Sequence, residues 1–162
     1  MLCISETIST QDEEYNMTRI LFICHGNICR SPMAEFIFND ICRKKRLFHY
    51  AESAAMTSEE IGNPVYPPAR RILSEHGISC KGKTARRIRK QDYGQFDLLI
   101  GMDRENMRHL AYLFPEDPLH KIHMLGEYSN AKEIDDPWYT GNFEICYDEI
   151  LAGCEGLAEA LK

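Results

Sequence analysis

Cys24 and Arg30 are the two residues of this 162-residue chain best placed to do chemistry together. A thiolate is a strong nucleophile, and a guanidinium can grip two oxygens of a phosphoryl group through its planar fork. Between them stand His25, Gly26, Asn27, Ile28 and Cys29, and after them Ser31 and Pro32. Gly26 and Asn27 both tolerate left-handed backbone, so the chain can curl back on itself there. Ser31 is a good helix N-cap and Pro32 suits the first helical position. Before the loop, Arg19 to Ile23 is a short apolar run rich in strand formers. A loop wedged between a strand end and a helix N-terminus turns backbone N–H groups inward and becomes an anion cradle. A thiol at its mouth and a guanidinium at its far end suit attack on phosphorus. A free cysteine is only a few per cent thiolate at neutral pH; the cradle, the helix start and Arg30 all favour the anion.

Such a reaction also needs a proton donor for the departing oxygen. Asp136 is the candidate, because Pro137 stiffens the chain behind it and the aromatic pair Trp138 and Tyr139 follows. The competing reading of that segment is a plain turn with aromatic packing.

Spacing alone is weak evidence, because Cys80 and Arg86 repeat it. The same region also fits the nucleotide-binding pattern G-x4-G-K-[ST], from Gly77 to Thr84. That pattern works when a strand precedes it and a helix follows. Here it follows the helical stretch Arg70 to His76, with Gly77 as its stop, and precedes the basic surface run Ala85 to Lys90. Nucleotide binding is therefore the weaker reading. His120 and His123 have no acid or cysteine at ligand spacing, so no metal is expected.

The elements that must position Cys24 follow from periodicity. After the first strand, a helix is expected from Pro32 to Arg46, burying Met33, Phe36, Ile37 and Ile41 and ending in a basic run. Strands are expected at Tyr50–Ala55, Phe96–Met102 and Lys121–Leu125. Helices are expected at Pro68–His76, Asp103–Leu113 with Asp103 as N-cap, and Asn142–Leu161. The last carries Phe143, Cys146, Ile150, Cys154, Leu157 and Leu161 at helical spacing. This alternation predicts a single α/β domain, a four-stranded, mostly parallel sheet with helices on both faces. Ligands of such sheets sit beyond the carboxyl ends of the strands, where the Cys24 loop lies.

Composition sets the outer bounds. With 44% apolar and 27% charged residues the chain is an ordinary globular domain, and no apolar run approaches membrane length. A net charge of -6 argues against general nucleic-acid binding. Residues 1–16 are polar, hold four acids and no Lys or Arg, and read as a disordered extension ending just before Met17. The domain proper is expected over 17–162. Seven cysteines without a secretory signal read as free thiols in a reducing cytoplasm.

The run Cys24-His-Gly-Asn-Ile-Cys-Arg-Ser-Pro32, with Asp136-Pro-Trp-Tyr139 near the end, resembles the low-molecular-weight protein tyrosine phosphatases. The likeness runs from Thr18 to Leu161 and includes Ser53-Ala-Ala55, Ile61-Gly-Asn-Pro64, His76-Gly-Ile78 and Phe96 to Asp103. It implies a compact α/β phosphatase needing no metal or organic cofactor and acting on phosphotyrosine-containing proteins, as a monomer or weak dimer. Cys24 would form a phosphocysteine, Asp136 would serve as acid and then base, and Arg30 with the loop from His25 to Ser31 would hold the phosphoryl group. Asn27, Ser31 and Ser53 match the residues that support the loop, and Cys29 matches the partner of a protective disulfide with Cys24. Ile28, Glu59, Trp138 and Tyr139 would line the substrate cleft. Glu59 stands where many relatives carry an aromatic, Lys83 near a position often held by histidine, and Trp138 in place of a frequent tyrosine. Arsenate reductases share the scaffold but use further cysteines downstream, and no close pair lies between Cys80 and Cys146. Protein arginine phosphatases tend to carry threonine where this chain has Ile28, an apolar side chain better suited to a phenyl ring. Phosphotyrosine is thus the expected substrate.

Overall fold

The computed structural model describes residues 17–162, so the extension expected over 1–16 lies outside the described residues. Strand β1, Arg19–Cys24, is the centre of the molecule. Ile20 to Ile23 are all fully buried, because β1 has strands on both sides and helices over both faces. Its neighbours are β2, Tyr50–Ala55, and β3, Leu98–Gly101; β4, Ile122–Met124, pairs with β3. The order is β2-β1-β3-β4 and every pairing is parallel, so the sheet is wholly rather than mostly parallel.

Side chains of β1 alternate between two cores, as the pleat requires. Ile20, Phe22 and Cys24 join the first core, with α1, Arg30–Lys45, α2, Pro67–Glu75, and the long C-terminal helix. Leu21 and Ile23 join the second, beneath the one-turn helix α3, Asp92–Gln95, and α4, Arg104–Leu113. Met33, Ile37 and Ile41 of α1 are buried, with Phe36 packed beside them, as their spacing predicts. The one-turn α5, Pro137–Thr140, leads into α6, Phe143–Ala160, whose Cys146, Ile150, Cys154 and Leu157 are buried. Helices α3 and α5 and the 3-10 turn at Leu125–Tyr128 span four residues each, too short to leave a periodic signal.

The start of α1 departs from expectation. The helix begins at Arg30, with Cys29 in the N-cap position and no side-chain cap. Ser31 sits inside the first turn, its hydroxyl engaged with Cys24 and Asn27 instead of capping. Asp103 does cap α4, accepting the Asn106 N–H at 2.8 Å while Asn106 returns a bond to the cap.

Candidate active site

Parallel pairing in register sets Cys24 beside Ala55 and Ile23 beside Gly101, so β1, β2 and β3 end at one edge. The loop after Cys24 lies there. Four of its carbonyls are already engaged: those of Cys24, His25, Ile28 and Cys29 accept N–H groups of Met56, Thr57, Tyr66 and Met33. An anion seated in such a loop is met by backbone donors rather than by these carbonyls.

Asn27 is the residue in left-handed backbone, at φ 60°. Of the two residues whose types tolerate that region, Gly26 does not use it. Glycine is suited there by space: a Cβ would stand 3.2 Å from Cγ of Glu60. The buried Asn27 amide donates to Ser31 Oγ at 2.8 Å and Ser53 Oγ at 2.9 Å, and its oxygen accepts the Arg86 N–H at 3.2 Å. A backbone N–H can only donate, so this last bond fixes which end of the amide is oxygen. Both N–H groups of Asn27 are then committed. Ser31 Oγ lies 2.9 Å from Cys24 Sγ and already accepts from Asn27, which leaves its proton free to point at the sulfur.

Arg30 is 2% exposed. Its Nη1 donates to Asp103 Oδ2 at 2.6 Å and to the Ile134 carbonyl at 2.8 Å, while Nη2 lies 3.6 Å from Asp136 Oδ2. Burial works against the guanidinium charge, but Cys24, Asp103 and Asp136 outweigh it and hold Arg30 above its ordinary pKa. Asp136 reaches the site from the N-cap of α5, where its other oxygen accepts the Trp138 N–H at 3.1 Å. The segment is a capped turn, the plainer of the two expectations, and the carboxyl of Asp136 faces the guanidinium.

These groups meet in one cleft. Cys24, Gly26, Ile28, Cys29 and Arg30 form the floor, Glu59 and Glu60 one wall, and Asp136, Trp138 and Tyr139 the other. Trp138 packs on Tyr66 with ring centroids 4.9 Å apart, and Tyr139 is 83% exposed. The His25 ring turns outward to Glu59, Nε2 to Oε2 at 2.9 Å, so His25 contributes backbone to the loop while its side chain joins the rim. Burial first, then the neighbouring Cys24, Asp136 and Cys146, pushes the Cys29 thiol well up.

Asp103 and Glu35 carry roles that sequence reasoning missed. Asp103 is legible only as a helix cap, and Glu35 only as a polar residue on an amphipathic helix. The nucleotide-binding pattern is resolved by Lys83, which turns inward to the Ser53 carbonyl at 2.9 Å and to Glu35 at 3.2 Å. Gly77 is in left-handed backbone after α2, the stop its position predicts. Thr84 bridges Pro64 instead of opening a helix. His123 spends its ring nitrogens on Glu127 and the His120 carbonyl.

A thiol and a clamped arginine lining one cleft suit phosphoryl transfer to a thiol, the chemistry of the cysteine-dependent phosphatases. Comparison with known proteins resolves the class. The family model described as low molecular weight phosphotyrosine protein phosphatase matches residues 19–162, and the chain belongs to that family. It is 41% identical over 151 residues to the low molecular weight protein-tyrosine-phosphatase YfkJ of Bacillus subtilis, covering 90% of this chain and 97% of that protein. The crystal structure of YfkJ superposes with a TM-score of 0.85, covering 89% of this chain and 94% of that one at 42% identity. A crystal structure of DARP, a drosophila arginine phosphatase, gives 0.80 at 32% identity, over 88% and 97% of the two chains.

Proposed function

We infer that this chain is a protein tyrosine phosphatase that hydrolyses phosphotyrosine in proteins through a phosphocysteine. The observation that carries the reading is the pairing of Cys24 and a clamped Arg30 on the floor of a cleft with Asp136 beside them. Cys24 attacks phosphorus in line with the ester oxygen, and the P–O bond breaks as the S–P bond forms. Arg30 and the loop N–H groups from His25 to Ser31 hold the equatorial oxygens, whose charge they match in the transition state. Asp136 gives its proton to the departing tyrosine oxygen, then takes one from the water that cleaves the S–P bond. Ser31 donates to the sulfur both as attacking anion and as leaving thiolate.

Specificity follows from the walls. Ile28, Trp138 and Tyr139 offer apolar and aromatic contact to a phenol ring, with the phosphoryl group at the cleft floor. Hydrolysis of phosphoarginine is the second reading, favoured by the likeness to the drosophila arginine phosphatase. Ile28 weighs against it, since an apolar side chain in the loop gives a guanidinium no hydrogen bond. Cysteine chemistry of this kind fits a reducing compartment, the cytoplasm, and Cys29 is the candidate for disulfide protection of Cys24.

The test is a side-by-side assay of phosphotyrosine, phosphoarginine and arsenate with wild type and Cys24→Ser, with and without reductant. Phosphotyrosine turnover that vanishes in Cys24→Ser is expected. Appreciable activity in that variant sinks the mechanism, and preference for phosphoarginine sinks the specificity.

A further inference from the structure

The catalytic cleft does not end at its walls. Ile28, Glu60 and Trp138 line it and also line a second hollow, which runs on past Tyr66 and Pro64 to Arg70 of α2. Tyr66 ties the two together. Its N–H is bonded to the Ile28 carbonyl at 2.8 Å, its ring packs on Trp138, and its own carbonyl accepts the Arg70 N–H at 3.0 Å. We propose that this second hollow receives the substrate chain beside the phosphotyrosine, and that Arg70 is a specificity residue selecting an acidic side chain there. The proposal rests on the tyrosine phosphatase reading and deepens it.

The shape of the hollow suits an extended polypeptide. One wall is fixed by backbone bonds: Gly62 donates to the Ala85 carbonyl and Ala85 to the Asn63 carbonyl, both at 2.9 Å, while Pro64 bridges Thr84. A wall held in this way needs no ordering when a ligand arrives. Ile28 and the rings of Tyr66 and Trp138 offer apolar contact along the way. From Tyr66 to Arg70 is one turn of α2, a rise of about 6 Å, or about two residues of extended chain. A side chain two or three residues from the phosphotyrosine therefore comes within reach of the Arg70 guanidinium.

Charge decides which side chain is taken. Glu59 is held by His25 at 2.9 Å and Glu60 by Asn63 at 2.6 Å, and both repel an acid brought to the mouth of the cleft. Beyond Tyr66 the sign changes. Arg70 is exposed and pairs with no carboxylate of the described residues, whereas Arg30, Arg43 and Arg86 each hold an aspartate. Arg71 follows it on α2, and Lys81 lines the next hollow with it. Glu75 shares a hollow with Arg70 and Arg71 but, among the described residues, pairs with neither. A guanidinium free to turn can meet a carboxylate through two parallel bonds. The catalytic cleft is thus walled by acids, and the hollow that continues it ends on an uncommitted cation.

The test uses phosphotyrosine peptides of one sequence that carry Glu, Gln or Lys at the second and third positions on both sides of the phosphotyrosine. Turnover by wild type, Arg70→Gln and Arg70→Glu is followed by phosphate release. Binding of the same peptides, labelled with fluorescein, is followed by anisotropy with Cys24→Ser forms of all three. Each result is read as the ratio between peptides within one protein, so a loss common to every peptide cancels. Wild type should favour the Glu over the Gln peptide about threefold to fivefold in kcat/KM, the size of an exposed ion pair, and the ratio should fall toward one at about 0.5 M salt. Arg70→Gln should show a ratio near one, and Arg70→Glu should favour the Lys peptide instead. A wild type indifferent to the three peptides, or an Arg70→Glu variant that keeps the preference for Glu, overturns the proposal. Peptides that bind with this preference but are not hydrolysed would leave the specificity standing and remove the tyrosine phosphatase reading; peptides that do not bind would remove both.

Discussion

Asp103→Asn isolates what orients the guanidinium. Arg30 has no freedom to seek water, being 2% exposed, and Asp103 Oδ2 at 2.6 Å is the shortest of its three holds. Asparagine keeps an oxygen for the Asn106 N–H, now at 2.8 Å, so α4 stays capped while the charge facing Arg30 disappears. A hydrogen bond to a charged group contributes about 1.5–3 kcal/mol, and about 1.4 kcal/mol is tenfold in rate. The Ile134 carbonyl and Asp136 still hold the guanidinium, so the loss should lie near the lower end, about tenfold to thirtyfold in kcat/KM. Inhibition by inorganic phosphate should weaken in parallel, because Arg30 grips the ground state as well. Steady-state hydrolysis of p-nitrophenyl phosphate with phosphate as inhibitor reads both, and a thermal melt checks the fold. Asp103→Ala should add the lost cap, about 1 kcal/mol and a few degrees of Tm. A kcat/KM for Asp103→Asn within twofold of wild type, with phosphate inhibition unchanged, would refute the clamp.

Four further outcomes are expected from the same structure. Asp136→Asn should slow hydrolysis of phosphotyrosine far more than that of aryl esters with good leaving groups; equal losses in a leaving-group series would point to another acid. Peroxide-treated wild type should recover activity on addition of thiol, whereas Cys29→Ser should recover markedly less, and identical recovery would remove Cys29 as the partner of Cys24. Burial first, then Asp135, raises the pKa of Glu149, so its contribution to stability is present at low pH and fades as pH rises through the raised value. Glu149→Gln should therefore melt with wild type near about pH 4 and above it near about pH 7, and a constant gap across that window would contradict the assignment. A Cβ at Gly156 would stand 1.9 Å from the Tyr128 carbonyl, so Gly156→Ala should lose about 1–3 kcal/mol despite alanine's helix preference, which a denaturant melt would register.

What was legible in the sequence was local. A buried strand, a loop closing on arginine and a helix behind it are each written within a few residues, and their order alone brings Cys24 to the carboxyl edge of the sheet. The one local expectation that failed has a local cause. Ser31 has the right chemistry for a cap, but capping rules describe isolated helix ends. Here the Ser31 hydroxyl is claimed by the sulfur and Asn27. What stayed hidden was long-range. Arg30 meets Asp103 across 73 positions and the Ile134 carbonyl across 104, and Asn27 meets Ser53 across 26. No periodicity encodes such pairs, because they depend on how parallel strands align their ends.

The second cysteine-to-arginine spacing shows why that alignment decides function. Arg86, like Arg30, is held by an aspartate: Asp92 is fully buried and accepts from Nη1 and Nη2 of Arg86 at 3.0 and 3.2 Å. Clamping an arginine is therefore not what distinguishes the two. Cys80 lies in the loop that turns after α2, where burial raises its thiol and, among the described residues, no hydroxyl is bonded to its sulfur. Cys24 ends a strand, with Ser31 against its sulfur and a hollow loop in front of it. The Arg86 segment has a different use: its backbone N–H fixes the Asn27 amide, and its neighbour Lys83 holds Glu35. The region that imitates a second phosphate site in sequence thus supports the first in space, through the backbone and charge it contributes behind the Cys24 loop.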